Sequence, residues 1–331
     1  MDKEQYLLKA SDLVVRFKQS NGLRQVMIRP VNHISFSIQS QEIVGIVGES
    51  GSGKTTLGRA LVGMVPVYKG TLSFKGRNVT RLHARGLRQY WTEVQMIFQD
   101  VYNSLNPVFT VEQQLLFPIR RHMSNHSEDP QQELDRLLRL TGLTPTATVR
   151  DKLPHELSGG QRQRVAVVRS LAIHPQLLVA DEPVSMLDVS LRADILKLLL
   201  NLRDEFHLSI VYITHDLPSA TYVCDRILVM YGGRVIETGD AQEIVMHPQH
   251  PYTQRLLASA TFQMSPETSV RTTDEQVKSV LQESYQGCPY ASMCPLAMDI
   301  CAKEQSDFIQ ITPHHEVACH AVSRSEVEAT S

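Results

Sequence analysis

At 331 residues, with 42% apolar and 21% charged residues, the chain can bury one large core or two smaller ones. A formal net charge of −2 supplies no basic field to draw it to nucleic acid or anionic lipid. No apolar run approaches the ~20 residues of a membrane span, and the charged start Met1-Asp2-Lys3-Glu4-Gln5 lacks the apolar stretch of a secretory signal. The chain is expected in the cytosol, with any membrane role supplied through a partner.

Residues 6–80 read as rich in strands: 13–17 and 33–38 alternate, and 70–76 is a short strand between glycines. The apolar run 43–47 predicts a buried strand, and 56–62 predicts the first turns of a helix. Between them stand Gly48, Glu49, Ser50, Gly51, Ser52, Gly53, Lys54 and Thr55. Glycines let backbone N–H groups close around phosphates, a helix N-terminus adds partial positive charge, and Lys54 can reach the outer phosphates. Thr55 offers a hydroxyl to Mg²⁺, and Thr56 continues the binding segment. The local basic run of Arg77, Arg81, His83, Arg85 and Arg88 is read at helical spacing, spread around a solvated face.

A second buried strand, 94–98, ends at Gln99, whose amide oxygen can face Mg²⁺ or water. From about 110 to 175 the pattern is helical, with an amphipathic segment over 131–140 after Pro130 and another over 158–173. Leu157-Ser158-Gly159-Gly160-Gln161 repeats the phosphate-loop logic of a hydroxyl and two glycines opening a helix. One active site does not need two anion cradles, so the second is expected to close on a nucleotide held by another subunit. Residues 177–180 form a strand that delivers Asp181 to Mg²⁺, directly or through water, and Glu182 to the water that attacks the γ-phosphate. A helix over about 189–205 precedes the strand 209–213, after which His215 can contact the γ-phosphate and that water. Residues 227–230 and 234–237 flank Tyr231-Gly232-Gly233, a hairpin signature. Beyond 245 the sequence is punctuated by Pro, His and Cys, and 264–286 reads as a linker or irregular excursion.

These elements predict an α/β core with ligand at the carboxyl ends of its strands. In order, the phosphate loop, Gln99, residues 157–161, Asp181-Glu182, Ser185-Met186-Leu187-Asp188 and His215 resemble the ATP-binding subunit of an ABC transporter over about residues 6–245. The resemblance implies a P-loop NTPase core of ABC type with an antiparallel β subdomain and a helical subdomain inserted at about 105–175. It also implies a head-to-tail dimer with ATP between each phosphate loop and the opposite Ser158, Gly159, Gly160 and Gln161. Asp188 would lie at the seam and Phe17 would stack on adenine. Phe17 stands where tyrosine is common, and Met186 replaces the usual small residue; neither change removes a catalytic group.

The stretches 98–107 and 250–257, and the tail from Gly287 to His320, resemble the oligopeptide/dipeptide importer subgroup. This gives 1–245 as the ATPase domain and 246–331 as a small, irregular, Cys-rich accessory region. Cys288, Cys294, Cys301 and Cys319 are separated by five, six and seventeen residues. Spacing alone leaves zinc and iron–sulfur open, with His314, His315 or His320 able to replace a sulfur; resemblance to the subgroup implies a [4Fe–4S] cluster on four thiolates. Cys224, in an apolar patch, reads as packed core. The expected function is ATP hydrolysis energising an importer of di- or oligopeptides at the cytoplasmic face of the inner membrane. The implied partners are two transmembrane permease subunits, a second, related ATPase and, indirectly, a solute-binding protein. Nickel, glutathione or opine-type cargo remains open. A soluble ABC ATPase acting on nucleic acid or ribosomes is the rival, disfavoured by a single cassette with no heptad run and no basic surplus.

Overall fold

The computed structural model describes residues 6–21, 24–122, 129–260, 280–282 and 285–322, so most of the segment 264–286 lies outside the described residues. The chain divides into two compact units, Met1–Arg81 with Tyr212–Ser331, and Leu82–Val211.

The first unit opens with two long strands, β1 (Leu8–Asn21) and β2 (Arg24–Ile38), paired antiparallel from Leu8↔Ile38 to Asn21↔Arg24. Both outrun the alternating cores at 13–17 and 33–38, because register shifts along β1 let the pairing continue past the breaks in alternation. β3 (Ile43–Val47) is buried at all five positions and feeds α1 (Lys54–Leu61). β4 (Lys69–Phe74) pairs with β1, and β5 (Arg77–Asn78) with β4, giving an antiparallel sheet in the order β2-β1-β4-β5.

The second unit contains α2 (Ala84–Glu93), β6 (Val94–Ile97), α3 (Val101–Ser104), α4 (Val111–His122), α5 (Pro130–Leu140), α6 (Thr146–Arg150), α7 (Gly159–Leu171), β7 (Leu177–Asp181) and α8 (Val189–Phe206). The basic run is exposed at Arg77, Arg81, His83, Arg85 and Arg88, as read, but its spacing is not helical throughout: Arg77 sits on β5, α2 starts only at Ala84, and only Arg85 and Arg88 are helical. β6 and β7 run parallel from Val94↔Leu177 to Ile97↔Ala180. Asp129 caps α5 by accepting from Gln131 N–H at 2.9 Å, with Pro130 at the first helical position where its missing N–H costs nothing. Arg150 of α6 ties α4 to α5 through Glu112 (2.6 Å) and Asp135 (3.2 Å).

β8 (Ser209–Thr214), wholly buried, carries the chain back to the first unit. There α9 (Leu217–Val223), β9 (Arg226–Tyr231), β10 (Arg234–Asp240), α10 (Ala241–Met246) and α11 (Pro251–Ala260) follow. Gly232 (φ 54°) and Gly233 (φ 79°) make the β9–β10 turn with both central residues left-handed, as a tight hairpin requires. Cys224 is buried, and a Cβ on Gly45 of β3 would come 2.9 Å from its Sγ, so the expectation of a packed thiol holds.

Over residues 285–322 the tail carries regular structure that its sequence does not predict. After two 3₁₀ turns at Ala291–Met293 and Asp299–Ala302, β11 (Ile309–Thr312) and β12 (His315–Val317) pair antiparallel, and β12 pairs with β10 from Glu237↔Val317 to Gly239↔His315. A buried carboxylate pins this edge. Glu237 accepts from Gln249 N–H (2.7 Å) and His250 N–H (3.0 Å) and lies 2.8 Å from His315 Nε2, both side chains fully buried. Burial lowers His250 to about 4, against the attraction of Glu237, so the imidazole stays neutral and its Nδ1 accepts from Tyr252 N–H at 3.0 Å.

Candidate functional site

In the first unit, β3 aims the loop 48–53 at the start of α1. β3 is anchored by parallel pairing with β9 from Val44↔Arg226 to Val47↔Val229. The glycine requirement is steric: a Cβ at Gly48 would lie 2.1 Å from Met230 O, and one at Gly53 (φ 105°) 1.9 Å from Pro30 O. Ser52 O accepts from Gly233 N–H at 3.0 Å. Lys54 is buried, and its Nζ donates to Gly48 O (2.6 Å) and Glu49 O (2.8 Å), which places its charge over the loop. Thr55 and Thr56 are half-buried on the first turn of α1, which carries no acidic residue to offset the positive helix end. This is an anion cradle: a lysine, a helix N-terminus and backbone donors within one turn. Phe17 is on β1 with 38% of its surface exposed, a flat apolar face available to a ring. Beside it, Arg16 stacks 3.3 Å over Tyr68. His215 is exposed directly after β8.

In the second unit, β7 is buried along its length and ends in Asp181, only 1% exposed. Glu182 follows with φ 46°, an uncommon conformation for a non-glycine residue, and the turn is closed by Ser185 Oγ and N–H, both donating to Glu182 O. Because β6 and β7 are in register, Gln99 emerges beside β7 and its Nε2 donates to Glu182 Oε2 at 3.2 Å. Sequence reading gave both residues to hydrolysis but not their contact. Residues 158–161 form a reciprocal cap at the start of α7. Ser158 Oγ accepts from Gln161 N–H (3.2 Å), and Gln161 Oε1 accepts from Ser158 N–H (3.1 Å). Ser158 and Gly159 are exposed, while Gly160 is buried against Leu191 of α8, where a Cβ would sit 3.3 Å from Cδ1. Asp188 is exposed at the N-cap of α8.

The tail cysteines lie close enough to feel one another's charge. Burial, with the thiols of Cys301, Cys319 and Cys294 adding to it, pushes Cys288 up to about 11; burial also raises Cys294 and Cys319. Among the described residues, however, no three Cys, His, Asp or Glu side chains form a group that could hold a metal ion, so as placed they are not a metal shell.

Comparison with known proteins places this geometry. The ABC transporter family profile matches residues 31–185, and the profile for the C-terminal region of oligopeptide/dipeptide transporters matches 236–301. The oligopeptide transport ATP-binding protein AppF of Bacillus subtilis is 36% identical over 331 aligned residues, 97% of this chain and 98% of AppF. The chain belongs to the ATP-binding subunits of ABC transporters. A putative peptide import ATP-binding protein of Brucella ovis is 35% identical over 89% of this chain and 93% of its own. Among solved structures, cbiO1 from Clostridium perfringens, part of the ABC transporter complex cbiONQ, superimposes with a TM-score of 0.64 at 28% identity, covering 78% of this chain and 97% of cbiO1. The ATP-binding cassette MJ0796, at 24% identity and a TM-score of 0.63 over 71% of this chain and 98% of its own, shares the fold. As a member of this family the chain is an ATP-hydrolysing transporter subunit, and ATP with Mg²⁺ is its expected substrate complex. Among the described residues no helix is long and apolar enough to cross a membrane.

Sequence reasoning missed the supports of the phosphate loop: Met230 O behind Gly48, Gly233 beneath Ser52, and Tyr252, whose Oη accepts from Glu49 N–H at 2.8 Å. In sequence the segment His250-Pro251-Tyr252 carries only a likeness to the importer subgroup, and nothing in its pattern points to a loop two hundred residues earlier.

Proposed function

We propose that this chain energises an ABC importer for di- or oligopeptides. The observation that carries the cargo class is the match of residues 236–301 to the C-terminal region of oligopeptide/dipeptide transporters, joined to likeness with AppF along nearly the whole chain. In this reading residues 1–245 are the ATPase domain, with the helical subdomain at about 105–175, and 246–331 are the accessory region.

The phosphates of ATP lie in the loop 48–53 under its backbone N–H groups, Lys54 neutralises the outer phosphates, and Phe17 stacks on the base. Thr55, Gln99 and Asp181 would hold Mg²⁺, which would supply positive charge against that developing on the phosphates. Glu182 takes the proton of the attacking water, Gln99 orients that water with it, and His215 contacts the γ-phosphate. Ser158, Gly159 and Gly160 close on the nucleotide of a second, related cassette, with Gln161 fixing their cap and Asp188 at the seam. Two permease subunits hold the pair at the cytoplasmic face of the membrane, and a solute-binding protein delivers cargo to them.

Reconstituted with those permeases in vesicles, the complex is expected to show ATPase activity stimulated by di- or oligopeptides presented by the binding protein. Stimulation by nickel or glutathione instead would overturn the cargo class, and recovery of the chain on ribosomes rather than with multi-spanning proteins would overturn the transporter role.

For the tail, a four-thiolate [4Fe–4S] centre on Cys288, Cys294, Cys301 and Cys319 remains the reading, with Zn²⁺ as the alternative. It is supported by thiols near enough to influence one another: burial suppresses the ionisation of Cys288, Cys294 and Cys319, a penalty that a bound cation removes. Anaerobically purified protein should carry about four irons per chain. One zinc and no iron would assign the alternative, and metal-free protein would leave the thiols structural.

A further inference from the structure

The phosphate loop is held from outside by residues that the hydrolysis chemistry does not use. Tyr252, fully buried in the first turn of α11, takes the Glu49 N–H on its phenol oxygen at 2.8 Å. Burial, reinforced by the Glu49 carboxylate, pushes this phenol far above its ordinary range, so it stays neutral and adds no charge to the loop. Its ring lies 4.6 Å from that of Tyr231 and 5.4 Å from that of Tyr290, and Tyr231 and Tyr290 are 5.4 Å apart. Three mutually packed aromatic rings form a stiff unit, since each restricts the others' rotation.

Tyr290 lies two residues beyond Cys288, so this ring joins the cysteine segment to Tyr252. A second connection runs beside it. Pro289 packs under the β9–β10 turn, where a Cβ on Gly232 would meet Pro289 Cβ at 2.5 Å, and the adjoining Gly233 N–H holds Ser52 O. Arg255, whose charge is stabilised by the Tyr290 side chain, stands 3.8 Å from the Glu49 carboxylate. Two points of the phosphate loop, Glu49 and Ser52, are thus tied to structure that rests on residues 288–290.

We propose that Tyr252 is a positioning residue for the phosphate loop, and that Tyr290 behind it makes the cysteine segment a determinant of ATP affinity without touching nucleotide. The inference rests on the reading of residues 48–55 as the ATP site. Without the phenol, Glu49 N–H loses its acceptor and the loop samples arrangements that do not fit phosphate. Apparent affinity then falls with the fraction of loops that remain competent. The bond is made to the Glu49 N–H and not to a group assigned to proton transfer, so turnover at saturating ATP is preserved.

The test uses the full chain assembled with its permeases, and fluorescent-ATP titration of the purified full chain. Tyr252→Phe keeps the ring and removes only the hydroxyl. It should raise KM and Kd for ATP roughly five- to tenfold, the effect of one lost buried hydrogen bond, with kcat changed less than about twofold. Tyr290→Leu should produce a shift in the same direction, and the double variant should show little beyond the larger single effect, because both act on one support. Unchanged or tighter ATP binding in Tyr252→Phe, with only a lowered melting temperature, would mean the tyrosine merely packs. Additive effects would break the link to the cysteine segment. If Tyr252→Phe does not fold, Tyr290→Leu carries the test alone, and normal ATP affinity in it overturns the link. Lys54→Ala separates the two readings: normal ATP binding in that variant defeats the ATP-site assignment itself, whereas loss there with normal binding in Tyr252→Phe defeats only the support proposed here.

Discussion

Glu182→Gln should leave ATP binding intact and lower turnover by about 10²–10⁴-fold, the usual worth of a general base. The carboxylate follows the buried end of β7 on a left-handed residue and is contacted by the Gln99 amide at 3.2 Å. Glutamine conserves the shape and can keep a hydrogen bond to Gln99 but cannot accept a proton from water. The nucleotide contacts proposed for the loop 48–53 and Lys54 belong to other elements, so bound ATP should persist and the paired cassettes should accumulate in an ATP-bound dimer. The measurement is ATPase activity of the assembled complex beside size-exclusion chromatography with ATP. Wild-type turnover in the variant would remove Glu182 from the role of base.

Ser158→Arg should abolish hydrolysis in the assembled complex while the isolated chain binds ATP as before. Ser158 and Gly159 are exposed, and the cap of α7 is internally satisfied by the Ser158–Gln161 exchange, so the turn presents the remaining N–H groups of the helix start outward. An arginine there places a long side chain where backbone must approach a phosphate and also removes the capping oxygen, a loss of about 1 kcal/mol of helix stability. Thermal unfolding of the variant measures that second effect. Ser158→Asn, which keeps a capping oxygen but adds bulk, should impair hydrolysis less than arginine does. If the isolated chain loses ATP affinity to the same extent as the complex loses activity, the turn acts on its own nucleotide and the trans role falls.

Legibility in the sequence followed the range of the forces involved. The strands β3, β7 and β8 were readable because each is a short, mainly apolar run buried along its length, β6 from its apolar residues around a half-buried Gln95, and α5 from helical periodicity after Pro130. The β9–β10 hairpin was readable from paired glycines that tolerate φ > 0. The extent of β1 and β2 was not, since their pairing rides over register shifts that interrupt alternation. The basic residues of 77–88 are exposed, as a solvated surface requires, but β5 claims Arg77, so the helical period begins later than the charges do.

By itself, the sequence determined the local chemistry of this protein. Glycine spacing made a phosphate loop after a buried strand, acids ended β7, and a hydroxyl with two glycines opened α7, all within windows of a few residues where backbone sterics and hydrogen bonding are local. Tertiary structure alone decided what supports that chemistry. Gln99 meets Glu182 across 83 residues, Tyr252 reaches Glu49 across 203, and β12 adds to β10 through residues 315–317. Each is a contact between segments brought side by side by burial of the core, and a hydrogen bond of that kind leaves no period or composition in either strand of sequence from which it could be read.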